Sequence, residues 1–302
     1  MQNNIYDAVI IGAGPAGASC AVWLAHLGFN PIIIDRAPVI GGLSALNPFQ
    51  DTWNVTAPDL TGEEVSQQMK KSLDSARVPV LLKQAVTGIV PVLDGQGYLQ
   101  HYQVLFGEDK VLCGRKVVIA SGVKHRRPLE MGEEEYPDIL VGSGRALYQY
   151  DFIDKRVAVL GGGDNALENA LYAKERGAQY VDIYARTLRA QHKWMKLVSS
   201  KNIHMGSYEF NPKEMRVNQK HYDAVLVFYG YQPQLAGLED LHLCYKETGH
   251  IETDAQTCET NVSGIYAIGE VANRMHPCVV TSMADGIVAA KAIQNAFEDR
   301  EF

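Results

Sequence analysis

Ala8-Val9-Ile10-Ile11-Gly12-Ala13-Gly14-Pro15-Ala16-Gly17 is an apolar run, a glycine turn and the opening of a helical pattern. The same grammar returns in mid-chain as Val157-Ala158-Val159-Leu160-Gly161-Gly162-Gly163-Asp164-Asn165-Ala166. In such a strand-turn-helix the first glycine permits the tight turn and the second lets backbone approach a pyrophosphate. The third position, Gly17 or Ala166, lets the helix pack close to the strand. Each helix then turns its unbonded N–H groups and the positive end of its dipole toward the phosphates. Two such turns predict two dinucleotide sites.

The surroundings of the two turns differ. After the first, Pro31-Ile32-Ile33-Ile34 reads as a strand ending in Asp35, at about the 20-residue distance expected of a carboxylate that holds ribose hydroxyls. After the second, Tyr180-Val181-Asp182-Ile183-Tyr184 ends in Ala185-Arg186-Thr187-Leu188-Arg189, with no acid at the matching place. Cations there suit a 2′-phosphate better than a bare ribose, which leans toward NADPH over NADH. His192, Lys193 and Lys196 extend the same basic group.

With 302 residues, 46% hydrophobic and 21% charged, the chain has room for two ordinary globular domains. Its apolar stretches fall well short of the roughly 18 residues a membrane span needs, and the N-terminus enters a strand with no charged leader. A cytoplasmic protein without a membrane partner is the expectation. The net charge of −7 argues against a nucleic-acid partner. Cys20, Cys113, Cys244, Cys258 and Cys278 are scattered, without a CxxC or any metal-ligand spacing, so no metal site is expected.

Along the chain, Gly62 to Ala76 has the pattern of an amphipathic helix, and Val86–Val92, Leu99–Phe106 and Val111–Ile119 that of a small antiparallel meander. Lys124-His125-Arg126-Arg127-Pro128 reads as a basic linker. A second unit follows, with its own meander at Ile203–Tyr208, Met215–Gln219 and Ala224–Phe228. The chain then returns to the first unit through the strand Gly264–Ile268 and a closing helix from Thr281 to about Phe297. The expected fold class is α/β: two Rossmann-like, three-layer ββα domains, the second inserted into the first. The expected boundaries are 1–121 with 240–302 for the outer domain and 122–239 for the inserted one.

Seven motifs stand in one order: Gly12 to Gly17, Asp35, Gly41-Gly42, Ala120-Ser121-Gly122, Gly161 to Ala166, Tyr229-Gly230-Tyr231-Gln232-Pro233 and Ala267-Ile268-Gly269-Glu270. On these the chain resembles, over nearly its whole length, the low-molecular-weight thioredoxin reductase family of flavoproteins. The resemblance implies FAD in the outer domain, NADPH or NADH in the inserted one, and a homodimer. It assigns FAD to Gly12, Gly14, Pro15, Ala16, Gly17, Asp35, Arg36, Gly42, Leu43, Asn54, Ala120, Ser121, Gly122, Gly269, Glu270, Cys278, Val279 and Val280. The nicotinamide nucleotide falls to Gly161, Gly163, Asp164, Asn165, Ala166, Arg186, Arg189 and Gly230.

Three departures from the family bear on function. The cysteine pair that the family carries before the second glycine turn is absent, its places falling near Gly144 and Leu147. Only two of the family's cations for the 2′-phosphate survive, Arg186 and Arg189. At the flavin, the usual Gly-Asp is Gly269-Glu270 and the usual Tyr-Arg-Gln is His276-Pro277-Cys278. Cys278, at the start of the last helix, is a candidate redox thiol or a small buried apolar residue, and His276 a candidate proton donor or a turn residue. The resulting expectation is an FAD-dependent NAD(P)H oxidoreductase whose acceptor is a ferredoxin, a flavodoxin or a small molecule, not a disulfide reached through a CxxC pair. Lys124, His125, Arg126, Arg127 and the group from Arg186 to Lys196 are the candidate landing surface for an acidic carrier. The alternatives are thiol-disulfide exchange through Cys278 or an external dithiol, and a flavin-binding sensor or interaction protein without turnover.

Overall fold

The computed structural model describes residues 5 to 299 and divides the chain into two compact units, Met1–Val123 with Pro233–Phe302, and Lys124–Gln232. The expected boundaries, 121/122 and 239/240, lie about two and seven residues from these. Gln234 belongs to the first unit because its side-chain amide donates to the carbonyls of Ser121 and Val123, at 3.1 and 3.0 Å.

The first unit opens with β1 (Ile5–Ile11), α1 (Pro15–His26) and β2 (Pro31–Ile34). After α2 (Gly62–Ser75) come β3 (Val80–Leu81), β4 (Val86–Leu93), β5 (Leu99–Phe106) and β6 (Lys110–Ile119). β1 pairs in parallel with β2 on one side and β6 on the other. A strand enclosed in this way is covered on both faces, which is why its sequence is an unbroken apolar run. Its side chains alternate: Ala8 and Ile10 join the core under the helices, while Val9 joins the core on the opposite face. α2 is held at its start by a reciprocal capping box between Thr61 and Glu64.

The second unit, entered within β7 (Val123–His125) and left within its last strand, contains β8 (Ile139–Val141), α3 (Arg145–Tyr148), β9 (Arg156–Leu160), α4 (Asp164–Glu175), β10 (Tyr180–Ala185) and α5 (His192–Leu197). β11 (Ile203–Met205), β12 (Phe210–Asn211), β13 (Arg216–Val217), β14 (Lys220–His221), β15 (Ala224–Val227) and β16 (Tyr231–Pro233) follow. Its parallel sheet runs β11-β10-β9-β15-β8, and β7 pairs with β16. The second meander is therefore smaller than expected. Its first and last runs, β11 and β15, belong to the parallel sheet, and only β12 to β14 form an antiparallel ribbon. Nor is the stretch from Lys124 onward a bare linker, since its first residues lie in β7.

The chain returns to the first unit as β17 (Ile265–Ala267) and α6 (Val279–Glu298). On the side away from β1, β6 serves two neighbours: Lys110 to Gly114 pair antiparallel with β5, and Val117 to Ile119 pair parallel with β17. The first meander thus peels off a strand that the nucleotide-binding sheet also uses.

Asp182 ties the ribbon side of the second unit to β10. It is 7% exposed and accepts from Tyr222 Oη at 2.7 Å, His204 Nε2 at 3.0 Å and Lys220 Nζ at 3.2 Å. Burial alone would raise its pKa, but these three partners outweigh it and hold the carboxyl below its ordinary value. Asp182→Ala strands the Tyr222–Tyr184 hydroxyl pair and Lys220 around a void, and is expected to cost about 3 kcal/mol. Urea unfolding measures this, and an unchanged midpoint would show that the cluster contributes nothing.

Candidate functional site

Each unit holds a cavity at the carboxyl ends of its parallel strands. In the first unit the cavity measures about 460 Å³ and is lined by Gly12, Gly14, Pro15, Ala16, Asp35, Arg36, Gly42, Leu43, Ala120, Ser121, Gly122, Gly269 and Glu270, among others. Thirteen of the expected FAD residues therefore come together from five separate stretches of sequence.

The glycine turn that lines it can be built only with glycine at its first position. Gly12 has φ of +116°, and a Cβ there would overlap the Ala120 carbonyl. Asp35 accepts from the Ala13 N–H at 2.5 Å and from the Ala37 N–H at 2.7 Å, which aims its carboxylate at the turn. α1 begins at Gly14 with no side-chain cap, in contrast to the capping boxes of α2 and α6, so its first N–H groups are left for an anion. Gln234 also lines the cavity; its amide nitrogen is used twice, while its buried Oε1 has no partner among the described residues. An uncapped helix end, a carboxylate fixed beside the turn and an orphaned acceptor fit a dinucleotide with its polyol.

The opposite wall carries Glu270. Burial pushes its carboxyl above the ordinary range. The turn bearing it is pinned from beneath: Asp285 accepts from the Gly269 N–H at 3.1 Å and from Arg274 Nη1 at 3.0 Å. Arg274 Nη1 also lies 2.6 Å from Cys258 Sγ, and Lys246 Nζ donates to the carbonyls of Ala272 and Asn273. Burial raises the Cys258 thiol to about 12, against the pull of Arg274, so it remains a thiol at neutral pH. Sequence reasoning missed this support, because Arg274, Asp285 and Cys258 carry no shared spacing.

Five expected FAD residues lie off the lining. Gly17 is buried beneath the turn, where a Cβ would overlap the Gly12 carbonyl, so its role is helix-to-strand packing. Asn54 is buried and closes its own loop, accepting from Thr56 N and Oγ1. Val279 is partly buried against the helix-side core, and Val280 is 45% exposed.

Cys278 is exposed rather than buried, contrary to the apolar reading. It is the N-cap of α6, where its Sγ lies 3.4 Å from the Thr281 N–H and 3.3 Å from Thr281 Oγ1. His276 is exposed as well, and its carbonyl accepts from Thr281 Oγ1. All five cysteines are unbonded. Cys278→Ser supplies a stronger cap of the same shape. Turnover with a non-disulfide acceptor is therefore expected to stay within about twofold of wild type, and a tenfold loss would return the thiol to the reaction.

In the second unit the cavity measures about 390 Å³ and is lined by all eight expected nucleotide residues, Gly161, Gly163, Asp164, Asn165, Ala166, Arg186, Arg189 and Gly230. α4, like α1, starts at a glycine without a side-chain cap. Asp164 is engaged by Gln191, whose backbone N–H and side-chain amide both donate to it. The cavity also has rings that sequence reasoning did not place there: His125, Tyr208, Phe228, Tyr229 and Tyr231. Tyr208 Oη donates to Tyr229 Oη at 2.9 Å. Of the basic stretch around His125, Arg126 Nε donates to the Tyr231 carbonyl and Arg127 pairs with Glu135. On α5, His192, Lys193 and Lys196 are exposed. Where the family's cysteines would stand, α3 has Leu147, 1% exposed in the core of the unit.

The profile of the pyridine nucleotide-disulphide oxidoreductase family matches residues 6–292. A ferredoxin–NADP reductase of Limosilactobacillus fermentum is 32% identical over 88% of this chain and 85% of its own length. A thioredoxin reductase of Bacillus subtilis is 27% identical over 99% and 96%. Among solved structures, thioredoxin reductase of Lactococcus lactis in its FR conformation superposes with a TM-score of 0.79 at 27% identity, covering 97% of this chain and 99% of that one. No described helix is long and apolar enough to cross a membrane.

Proposed function

The chain belongs to the pyridine nucleotide-disulphide oxidoreductase family and is a flavin-dependent NAD(P)H oxidoreductase, and from that premise we propose that its electrons leave the flavin for an acceptor other than a CxxC-relayed disulfide. The carrying observation is the absence of a CxxC pair; the two thiols that do approach one another, Cys20 and Cys258, are buried in the core of the first unit. No two cysteines are closer in sequence than Cys244 and Cys258, and a buried leucine occupies one of the places the relay would need. Without a CxxC pair the family's relay from flavin to a protein disulfide is missing.

Bound flavin supplies the chemistry, accepting two electrons as hydride and releasing them to the next carrier. The residues of the first unit bind and orient it. The Gly12–Gly17 turn and the start of α1 take the pyrophosphate, Asp35 the ribose hydroxyls, and Glu270, with the acceptor on Gln234, the polyol and its neighbours. The residues of the second unit bind the reductant: the Gly161–Ala166 turn takes its pyrophosphate, and Arg186 and Arg189 favour a 2′-phosphate, hence NADPH.

A ferredoxin or flavodoxin is the acceptor class in best accord with the ferredoxin–NADP reductase likeness, and the cations of α5 suit an acidic carrier of that kind. A small molecule such as a quinone is the other candidate. We propose a cytoplasmic homodimer, as the likeness to the thioredoxin reductases implies. The test is reoxidation of the NADPH-reduced protein by ferredoxin, flavodoxin, quinone and thioredoxin disulfide in parallel. One of the first three is expected to turn over and the disulfide is not. Rapid turnover with the disulfide alone would overturn the proposal.

A further inference from the structure

The strand order of the second unit divides its cavity in two. The Gly161 turn follows β9, with β10 on one side and β15 and β8 on the other. In open parallel sheets a dinucleotide lies across this switch point, its pyrophosphate on the glycine turn and one mononucleotide over each half. The β10 half ends in Arg186 and Thr187, which suits the phosphorylated adenosine. Among the described residues lining the cavity, those on the β15 and β8 side include no lysine or arginine; Phe228, Tyr229 and Gly230 continue from β15, and His125 and Tyr231 close the wall beside them.

His125 is held there from several directions. Its strand, β7, pairs with β16, and the neighbouring Arg126 N–H donates to the Gly230 carbonyl at 2.9 Å. Its ring lies so close to the Gly142 backbone, at the end of β8, that any Cβ on residue 142 would overlap it. It also shares a hydrogen bond with the Ser143 backbone. Its ring centroid is 4.7 Å from that of Tyr231 at an interplanar angle of 36°, and Tyr231 Oη lies 3.5 Å from Asn165 Nδ2 in the glycine turn. Burial lowers the imidazole pKa below its ordinary value, against the Ser143 bond. The ring is therefore uncharged at neutral pH and presents a polar aromatic surface without repelling the cationic ring of an oxidised nicotinamide.

We propose that His125 and Tyr231 form the subsite for the nicotinamide half of the reductant, a positioning pair that holds a planar carboxamide-bearing ring. The proposal rests on the reading of this cavity as the NAD(P)H site. Stacking on a protein ring is worth enough that removing one ring is expected to weaken binding about tenfold.

The experiment is calorimetric titration of the flavin-loaded protein and its His125→Ala, His125→Phe and Tyr231→Ala variants. NADP⁺ is compared with 2′,5′-ADP, and NAD⁺ with ADP, because the shorter ligands lack the nicotinamide half. Both alanine variants are expected to lose about tenfold in affinity for the complete dinucleotide while keeping the adenosine ligands within about twofold, and His125→Phe is expected to restore most of the loss. Equal weakening of both ligand classes in variants with unchanged melting temperature would mean a structural role and would overturn the proposal. So would an unaltered dinucleotide affinity. If the wild-type protein bound neither class, the reading of the cavity itself would fall, a result distinct from either.

Discussion

Gly12→Val gives a protein that purifies without colour. The native φ of +116° is one that β-branched residues avoid at a cost of about 1–3 kcal/mol, and the added side chain would also overlap the Ala120 carbonyl. The turn cannot absorb both while keeping the Gly12 N–H on the Ile34 carbonyl at 2.9 Å and the Ala13 N–H on Asp35 at 2.5 Å. Those two bonds set the backbone that faces the pyrophosphate. Flavin affinity is expected to fall by at least about 100-fold, close to the loss of two charge-assisted bonds. Visible absorbance per mole of protein measures it, with a thermal melt to show that the apoprotein remains folded. Full colour in a folded variant would remove the first glycine turn from the flavin site.

Gly161→Val separates the two nucleotide sites. Gly161 has φ of +145°, and a Cβ there would sit 2.5 Å from the Phe228 carbonyl, at the end of β15. The damage falls on the cavity of the second unit, which shares no lining residue with that of the first. The variant is therefore expected to stay yellow and to be reduced by NADPH about 100-fold or more slowly, by the same loss of backbone donors. Stopped-flow reduction followed by the flavin absorbance is the measurement. Wild-type reduction would mean that the second glycine turn does not carry the reductant.

What the sequence made legible was local. Gly12 to Gly17, Asp35 and Gly161 to Ala166 announce themselves because turn, strand and helix signals lie within some 25 residues of one another, and the structure brings most of these residues to the two cavities, with Gly17 packed beneath the first turn. What stayed hidden depends on partners far along the chain. His125 sits in a run of cations and reads as basic linker, since nothing nearby shows that β7 pairs with β16 about a hundred residues later. β11 and β15 resemble hairpin strands because short apolar runs do not state whether their neighbours run parallel. The pinning of Gly269 by Asp285 and Arg274 needs the backbone of three segments at once. Cys278 is the reverse case: a cysteine suggests burial by its chemistry, but the residue before a long helix is a cap, and caps are at the surface.

The central claim is that one chain binds a flavin in its first unit and reduces it with a nicotinamide nucleotide held in its second. Anaerobic mixing of the purified yellow protein with NADPH, and separately with NADH, tests it most directly. Prompt bleaching of the flavin, faster with NADPH, is the predicted result. A flavin that stays oxidised with both nucleotides, or a wild-type protein that takes up no flavin at all, would contradict it.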